Sequence, residues 1–579
     1  ATVVSTPSTR SPRYLFIWKA GFIYLTSAVF ISGWWLDMAV RLITMRNENE
    51  QNPAVSPTAE ILNTPSLDLC IHVVFEFDEP VDVNHAKNFI QETLLSTSTR
   101  FSSIVSKNGN GVLQWQKTEV NVEDHIFVPY ISPDLISFDN YVEEYVSDMH
   151  LRKLSPSRPL WEFHFLNCKT RATVILNIHH MLGDGVSLMA LGMACSTRSK
   201  NPTIPPSLPL SSHCKQRPAG KTHEKSHKGW LGFKFLWHLL FSVVVVMWHT
   251  LNDLFSSFVR VKWMEDSRFS FRGHAGVELL PKVMASTTFN LHDIREIKNR
   301  VEGSVNDVMM GVVFYGFRLY CNMVFLDPKQ ADNLRVTALG LINTRSEPGI
   351  KSLKEMTESK TGDSWGNRFS FLQLPVPMKK LNNPLEYVTR AKYMMDQKKM
   401  SVASFLINRV MNFITRFRGA QVSGKAMYDL LANTTVTVSN MQGPKEEMTF
   451  AGYAIKSGFF SVSGVPQSIL VTCPSYNECV RMQGFRKMDP NRWELSHGSF
   501  LREQKHLLSN IRRRRRSPHK VIAGTSCDGL CIKYESEGEL EKLKKEDTII
   551  RKVVELKEQQ KDIDREIHDM KRQLQAIED

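Results

Sequence analysis

Apolar positions change their spacing several times along the chain, and each change predicts an element. Ser66 to Phe77 (SLDLCIHVVFEF) alternates and is rich in Val, Ile and Phe, which predicts a strand. Asp82 then stands where it would cap an amphipathic helix over Val83 to Leu95, with Ala86, Phe89, Ile90, Thr93 and Leu94 at helical spacing. Val112 to Lys117 predicts a strand, Asp139 to Leu151 a helix, and Pro159 to Asn167 a strand whose proline marks its start. The apolar run Ala172 to Ile178 gives way at Asn177 to Gly185 (NIHHMLGDG) to a Gly-containing turn. A helical pattern follows through Val186, Leu188, Met189, Leu191 and Met193. A second α/β texture predicts strands at Val283 to Asn290, Leu334 to Asn343, Asn367 to Val376, Thr434 to Asn440 and Ser468 to Thr472. Helices are predicted at Val305 to Tyr320, Pro384 to Lys399 and Val402 to Phe417.

Three stretches break this texture. Tyr14 to Leu36 is apolar apart from Lys19, about the length needed to cross a hydrocarbon core of ~30 Å, and Trp34 and Trp35 would sit in the interfacial belt. Arg198 to Gly229 is rich in Pro, Ser and Lys and predicts a linker. It leads into Trp230 to Trp263, where His238, His249, Asn252 and Asp253 interrupt the apolar run. An interfacial or re-entrant segment, rather than a span, is expected. After about Gly484 comes the basic run Arg512 to Arg516, and then Ile549, Val553, Leu556, Gln560, Ile563, Ile567, Met570, Leu574 and Ile577 step alternately by 4 and 3. That is a heptad stripe, and it predicts a coiled coil that self-associates or takes a partner helix. The domain plan is an N-terminal extension over 1–55 with a candidate membrane segment at 14–36, a first α/β half over 56–197, and a linker with an apolar segment over 198–265. A second half over 266–483, a basic linker over 484–538 and a coiled coil over 539–579 complete it. The chain opens on Ala, which fits a fragment or a merged gene model.

Length and composition allow this plan. The chain has 579 residues, 42% of them hydrophobic, enough for two cores. Lys and Arg number 73 against 59 Asp and Glu, a formal charge of +14. Much of the surplus lies in Arg512 to Arg516 and Lys215 to Lys234, beside apolar segments, so it points to a membrane surface and not to nucleic acid. The nine cysteines are scattered and odd in number, as reduced thiols would be. Cys527 and Cys531 have no second pair, and no metal site is expected.

The candidate chemistry sits in His179-His180-Met181-Leu182-Gly183-Asp184-Gly185. A neutral imidazole with an ordinary pKa near ~6.5 can take a proton from a hydroxyl and pass it on, which is general-base work. Asp184 stands where it would cap the following helix, and Gly185 would permit a tight turn. Ser304 to Asp307 reads as a capping box.

PLW at Pro159 to Trp161, HHMLGDG at His179 to Gly185, VND at Val305 to Asp307, NTR at Asn343 to Arg345, WGN at Trp365 to Asn367, SNMQGP at Ser439 to Pro444 and GVPQ at Gly464 to Gln467 follow one another in this order. Over about Ser56 to Gln483 the chain resembles the plant-type bifunctional wax ester synthase/diacylglycerol acyltransferase family. The resemblance implies an α/β fold of two similar chloramphenicol acetyltransferase-like halves with mixed sheets and a tunnel between them. It implies transfer of an acyl group from acyl-CoA, as substrate and with no cofactor, to a fatty alcohol or to diacylglycerol. By it His180 is the general base, His179 and Asp184 support the loop with Gly185, and Asn306 lies near the tunnel as an oxyanion stabiliser. Pro159, Leu160, Trp161, Asn343, Arg345, Ser439 and Asn440 are then candidates for shaping the substrate channel.

If Phe235 to Val259 spanned a membrane, His180 and Asn306 would lie on opposite faces, so the segment is expected to lie on the membrane. The expected location is the endoplasmic reticulum membrane with the catalytic domain in the cytosol, and the plasma membrane is the second choice. One departure stands out: members continue after the SY-containing strand into a further strand and a closing helix, whereas here GFRKMDPNRWELSHG follows Gln483. An unclosed second half would make the chain a catalytically impaired acyltransferase-like protein acting through its coiled coil, or a fusion of neighbouring reading frames.

Overall fold

The computed structural model describes residues 52–109, 111–204, 206, 228–269, 272, 276–324, 328–345 and 365–487. The expected segment at 14–36, the Arg run and the heptad stripe lie outside them.

The first half supplies strands β1 (Cys70–Phe77), β2 (Ile126–Phe127), β3 (Trp161–Asn167) and β4 (Ala172–His179). The second supplies β5 (Lys282–Asn290), β6 (Thr337–Asn343), β7 (Phe369–Pro375), β8 (Val436–Gln442), β9 (Ser457–Ser463), β10 (Ile469–Tyr476) and β11 (Cys479–Lys487). They form a five-stranded sheet in the order β9-β1-β4-β3-β2 and a six-stranded sheet in the order β7-β6-β8-β10-β11-β5. Both are mixed: β2 runs parallel to β3, and β8 runs parallel to β6 and β10, while the other pairs are antiparallel.

Two of these strands depart from expectation. β9 belongs to the second half by sequence, yet it pairs along the edge of β1 from Ser457 opposite Glu76 to Ser463 opposite Cys70. Its SGFFSVS hides the strand because Ser461 and Ser463 look solvent-facing. Both are buried, hydrogen-bonded to His150 Nε2 at 2.6 Å and His72 Nε2 at 3.0 Å. Buried hydroxyls are tolerated where a partner satisfies them. β11 pairs with both β10 and β5, the latter from Cys479 opposite Asn290 to Lys487 opposite Lys282. The second sheet therefore has its further strand, and the boundary drawn at 483 falls inside it; the closing helix would lie outside the described residues.

Helix α1 (Val83–Phe89) starts at Asp82, whose Oδ1 accepts from Asn84 N at 2.9 Å; it loosens into a π turn at Ile90–Leu94. α2 (Phe138–Met149) covers the outer face of the first sheet, packing Val142 and Val146 on Val74 and Ile175. The period-3.6 run after Gly183 is α3 (Gly185–Ala194). The interrupted apolar segment is one continuous helix, α4 (Lys228–Lys262), so a re-entrant turn there is excluded. Its four polar interruptions sit within a helix whose polar side docks on the second half: Thr250 Oγ1 accepts from Val402 N at 3.2 Å, Ser257 Oγ accepts from Gln373 Nε2 at 2.9 Å, and Asp253 pairs with Lys398.

The second half adds α5 (Val305–Val324), α6 (Pro384–Lys399), α7 (Ala403–Arg418) and α8 (Ala420–Ala432). The capping box is formed: Asp307 Oδ2 accepts from Ser304 N at 2.7 Å, and Ser304 Oγ from Asp307 N at 3.3 Å. α5 crosses α6 closely at Gly311, where an added Cβ would stand 2.6 Å from Val388 Cα and 2.9 Å from its nitrogen. Backbone cannot rotate aside as a side chain can. Gly311→Ala is expected to cost about 1–3 kcal/mol, visible as a lower thermal midpoint. Gly316→Ala, on the same helix with no described atom within 4 Å of its Cβ, is expected to leave the midpoint unchanged or raise it. Equal effects from the two would remove close packing as the cause.

Candidate active site

The end of β4 carries the two histidines. His179 is the last paired residue, opposite Cys70, and the chain then turns with His180 N donating to Leu69 O at 2.8 Å. His179 Nδ1 accepts from Met181 N at 3.2 Å, so Nε2 carries the proton that faces Asp68 Oδ1 at 3.0 Å. Lys153 holds the other Asp68 oxygen at 2.7 Å. The hydrogen bond from His179 draws the Asp68 carboxyl down to about 2, against the opposing effect of burial. His179 thus has both nitrogens committed to holding the turn.

His180 is buried and lines a large apolar cavity. Its Nδ1 lies 2.9 Å from Asn367 Oδ1, while Asn367 Nδ2 donates to the carbonyls of His180 at 2.8 Å and Met181 at 3.4 Å. Two carbonyl acceptors require the amide nitrogen on that side, so the oxygen faces the ring and Nδ1 must carry the proton. The neutral ring keeps its lone pair on Nε2. Burial lowers the His180 pKa from its ordinary value, which holds the ring in this basic form. Asn367 was visible in the sequence as the end of WGN, but only as a landmark; its partnership spans 187 positions and no local pattern announces it.

Asp184 caps α3, its Oδ1 accepting from Ser187 N at 2.9 Å. The same carboxylate takes a two-pronged contact from Arg345 at 2.8 and 3.0 Å and a third tie from Arg368 N at 2.8 Å. Arg345 also donates to Ser187 Oγ at 3.0 Å, Gly366 O at 2.9 Å and Asn343 Oδ1 at 3.2 Å. Its guanidinium is buried in this network and lies outside the cavity lining, which corrects its candidacy for the substrate channel. Gly185 needs correction too. Its φ is not positive, and the described atom nearest an added Cβ is Met441 Cε at 2.1 Å, the movable end of a side chain, so neither φ nor backbone crowding requires glycine there.

The cavity, ≈ 360 Å³, is walled by both sheets. On one side it reaches into the first core past Ile90, Leu94, Phe163, Phe450 and Ile455. On another it reaches Leu62, Leu431 and Val465 of a second cluster with Phe371 and Met427 against it. Asn343, Ser439 and Asn440 bring polar groups to its wall. Asn306 is exposed at the first turn of α5 and, among the described residues, reaches the wall through its hydrogen bond with Asn440. Pro159, Leu160 and Trp161 do not line it: Trp161 is fully buried, its Nε1 donating to Phe101 O at 2.9 Å and its ring stacked on His125, while Leu160 O accepts from His179 N at 3.0 Å. PLW builds the strand beneath the histidines and is absent from the described lining of this cavity. Among the described residues no group of side chains could hold a metal ion.

Such a base in an apolar cavity suits chemistry on hydroxyls of fatty molecules, and comparison with known proteins agrees. Residues 137–309 match the wax ester synthase/diacylglycerol acyltransferase catalytic domain, and 365–486 match the WS/DGAT C-terminal domain. Wax ester synthase/diacylglycerol acyltransferase 8 of Arabidopsis thaliana is 30% identical over 448 residues, covering 74% of this chain and 90% of its own. Number 7 of the same plant is 31% identical with the same coverage. Among solved structures, the wax ester synthase/diacylglycerol acyltransferase from Marinobacter aquaeolei VT8 superposes with a TM-score of 0.44 at 15% identity, over 75% of this chain and 93% of that one. The first condensation domain of the CDA synthetase gives 0.46 at 11%, over 80% and 94%. On the sequence matches, which take in both halves and the turn that holds His180, this chain belongs to the wax ester synthase/diacylglycerol acyltransferase family.

Proposed function

We propose that this chain transfers a fatty acyl group from acyl-CoA to the hydroxyl of a long-chain alcohol, giving a wax ester, or of diacylglycerol, giving triacylglycerol, with His180 as general base. The observation that carries the proposal is the committed Nδ1 of His180, which leaves Nε2 as the acceptor in an apolar cavity. The acceptor hydroxyl gives its proton to Nε2 as its oxygen attacks the thioester carbon. The C–S bond then breaks, and the imidazolium returns the proton to the CoA thiolate, so ester and free CoA leave with no covalent enzyme intermediate. Asn440, which lines the cavity and donates to Asn306 Oδ1, is the candidate oxyanion donor, with Asn306 acting through it. Asn343 and Ser439 shape the same wall. By the same reading the chain works at the cytosolic face of the endoplasmic reticulum, where acyl-CoA is supplied, or at the plasma membrane, and its heptad stripe self-associates.

Microsomes carrying the chain, given labelled acyl-CoA and each acceptor in turn, provide the assay. His180→Ala is expected to lower product formation by about 10²–10⁴-fold, and an undiminished rate would remove His180 as the base. Because burial holds the His180 pKa low, the acid limb of kcat/KM is expected below the ordinary histidine value of ~6.5, with activity retained above it and lost as pH falls through it. Asn367→Asp places a carboxylate on Nδ1, favours the imidazolium, and should move that limb to higher pH. An unmoved limb would separate Asn367 from the base. Asp184→Ala leaves the Arg345 charge buried and unpaired, for an expected loss of about 3–5 kcal/mol in denaturant unfolding. His180→Ala should leave that unfolding curve nearly in place.

A further inference from the structure

α4 is amphipathic in the wrong sense for water. Several of its polar side chains point inward: Ser242 is 1% exposed, Thr250 7% and Arg260 5%, the last paired with Asp266 at 2.9 Å. Its large apolar ones point outward, Trp248 at 71% and Phe255 at 68%, within a stripe that begins at Trp237 and Leu240 and runs through Val244 and Leu251 to Phe258. Steps of 3 and 4 keep these positions on one face, over about 32 Å at ~1.5 Å per residue. A helix that hides its hydroxyls and shows its tryptophans requires an apolar partner.

We propose that the partner is a bilayer leaflet: α4 lies in the membrane plane with this stripe among the acyl chains, and the acceptor passes from the lipid beneath α8 to His180. Several features favour lipid. Exposed cations stand at the ends of these helices, Lys262 on α4 and Arg416 and Arg418 on α7, which suit anionic headgroups and would repel the same face of a second copy. α7 adds exposed Val410, Phe413 and Phe417, and it packs against α4. Although Leu240–Lys262 is long and apolar enough to cross a membrane, its ties to Gln373, Lys398 and Val402 hold it along the protein. α8, which also packs on α4, carries Met427 and Leu431 in the cavity wall, so one helix separates the stripe from the path to His180. The acceptor route rests on the acyl-transfer reading; the docking of α4 does not.

The test uses the full chain in vesicles of phosphatidylcholine and phosphatidylserine, the phosphatidylcholine radiolabelled, with photoreactive benzoylphenylalanine replacing Trp248, Phe255 or, as control, the exposed Tyr130. Lipid adducts from 248 and 255 and none from 130 are expected. Chain-to-chain adducts in place of lipid, adducts to the chain's own residues 14–36, or no adducts at 248 and 255 overturn the docking. In a second arm, Trp248→Asp combined with Phe255→Asp should lower esterification of a vesicle-held long-chain alcohol by about tenfold or more while leaving that of water-soluble butanol unchanged. An equal fall on both, or on neither, overturns the route. A wild-type chain inactive on both acceptors overturns the acyl-transfer reading, and the lipid adducts still decide the docking.

Discussion

Everything at the candidate site depends on one buried ion pair. Taking a carboxylate and a guanidinium out of water costs several kcal/mol per ion unless each finds enough partners. Asp184 finds four donors, Arg345 twice, Ser187 N and Arg368 N, which fill the ~4 acceptor positions a carboxylate offers. Arg345 in turn reaches Ser187, Gly366 and Asn343. Because those partners come from both sequence halves, the pair can be satisfied only when the halves are in register. Gly366 and Arg368 flank Asn367, so the contacts that neutralise Asp184 also set the amide against His180.

Around this pair the molecule separates rigid polar ties from permissive apolar space. His179, Asp68 and Lys153 fix one side of the turn, and Asn367 fixes the ring. Past the ring most of the lining is Leu, Ile, Val, Met and Phe. Dispersion and area burial attract a hydrocarbon chain without demanding one shape of it. By the proposed mechanism the arrangement would hold the proton-transfer atom closely and the fatty chains loosely.

Much of this was legible in the sequence. The long strands and helices from Cys70 to Ala194 follow from changes of apolar period, though the short strand Ile126–Phe127 does not, and HHMLGDG marked the strand end that carries the two histidines. The capping box at Ser304 was readable because both partners are local. Long-range choices were hidden. Arg345 looked like a channel residue because an arginine gives no sign of which carboxylate it will meet. Trp161 sat in a motif beside the site, yet its burial was decided by Phe101 and His125. β9 was missed because its serines meet histidines more than 300 positions away, and the strand after Tyr476 because a short hairpin of mixed polarity resembles a linker.

The borrowed strand β9 also sets an order of events during synthesis. β1 stays an unpaired sheet edge until residues 457–463 leave the ribosome, almost 390 residues after β1 itself. An open edge rich in Val and Phe is a template for pairing with other chains, and contacts of such sequence separation form late. The half that carries HHMLGDG therefore completes its sheet only with a strand from the other half, and its β1 edge is open to other chains until residues 457–463 have emerged.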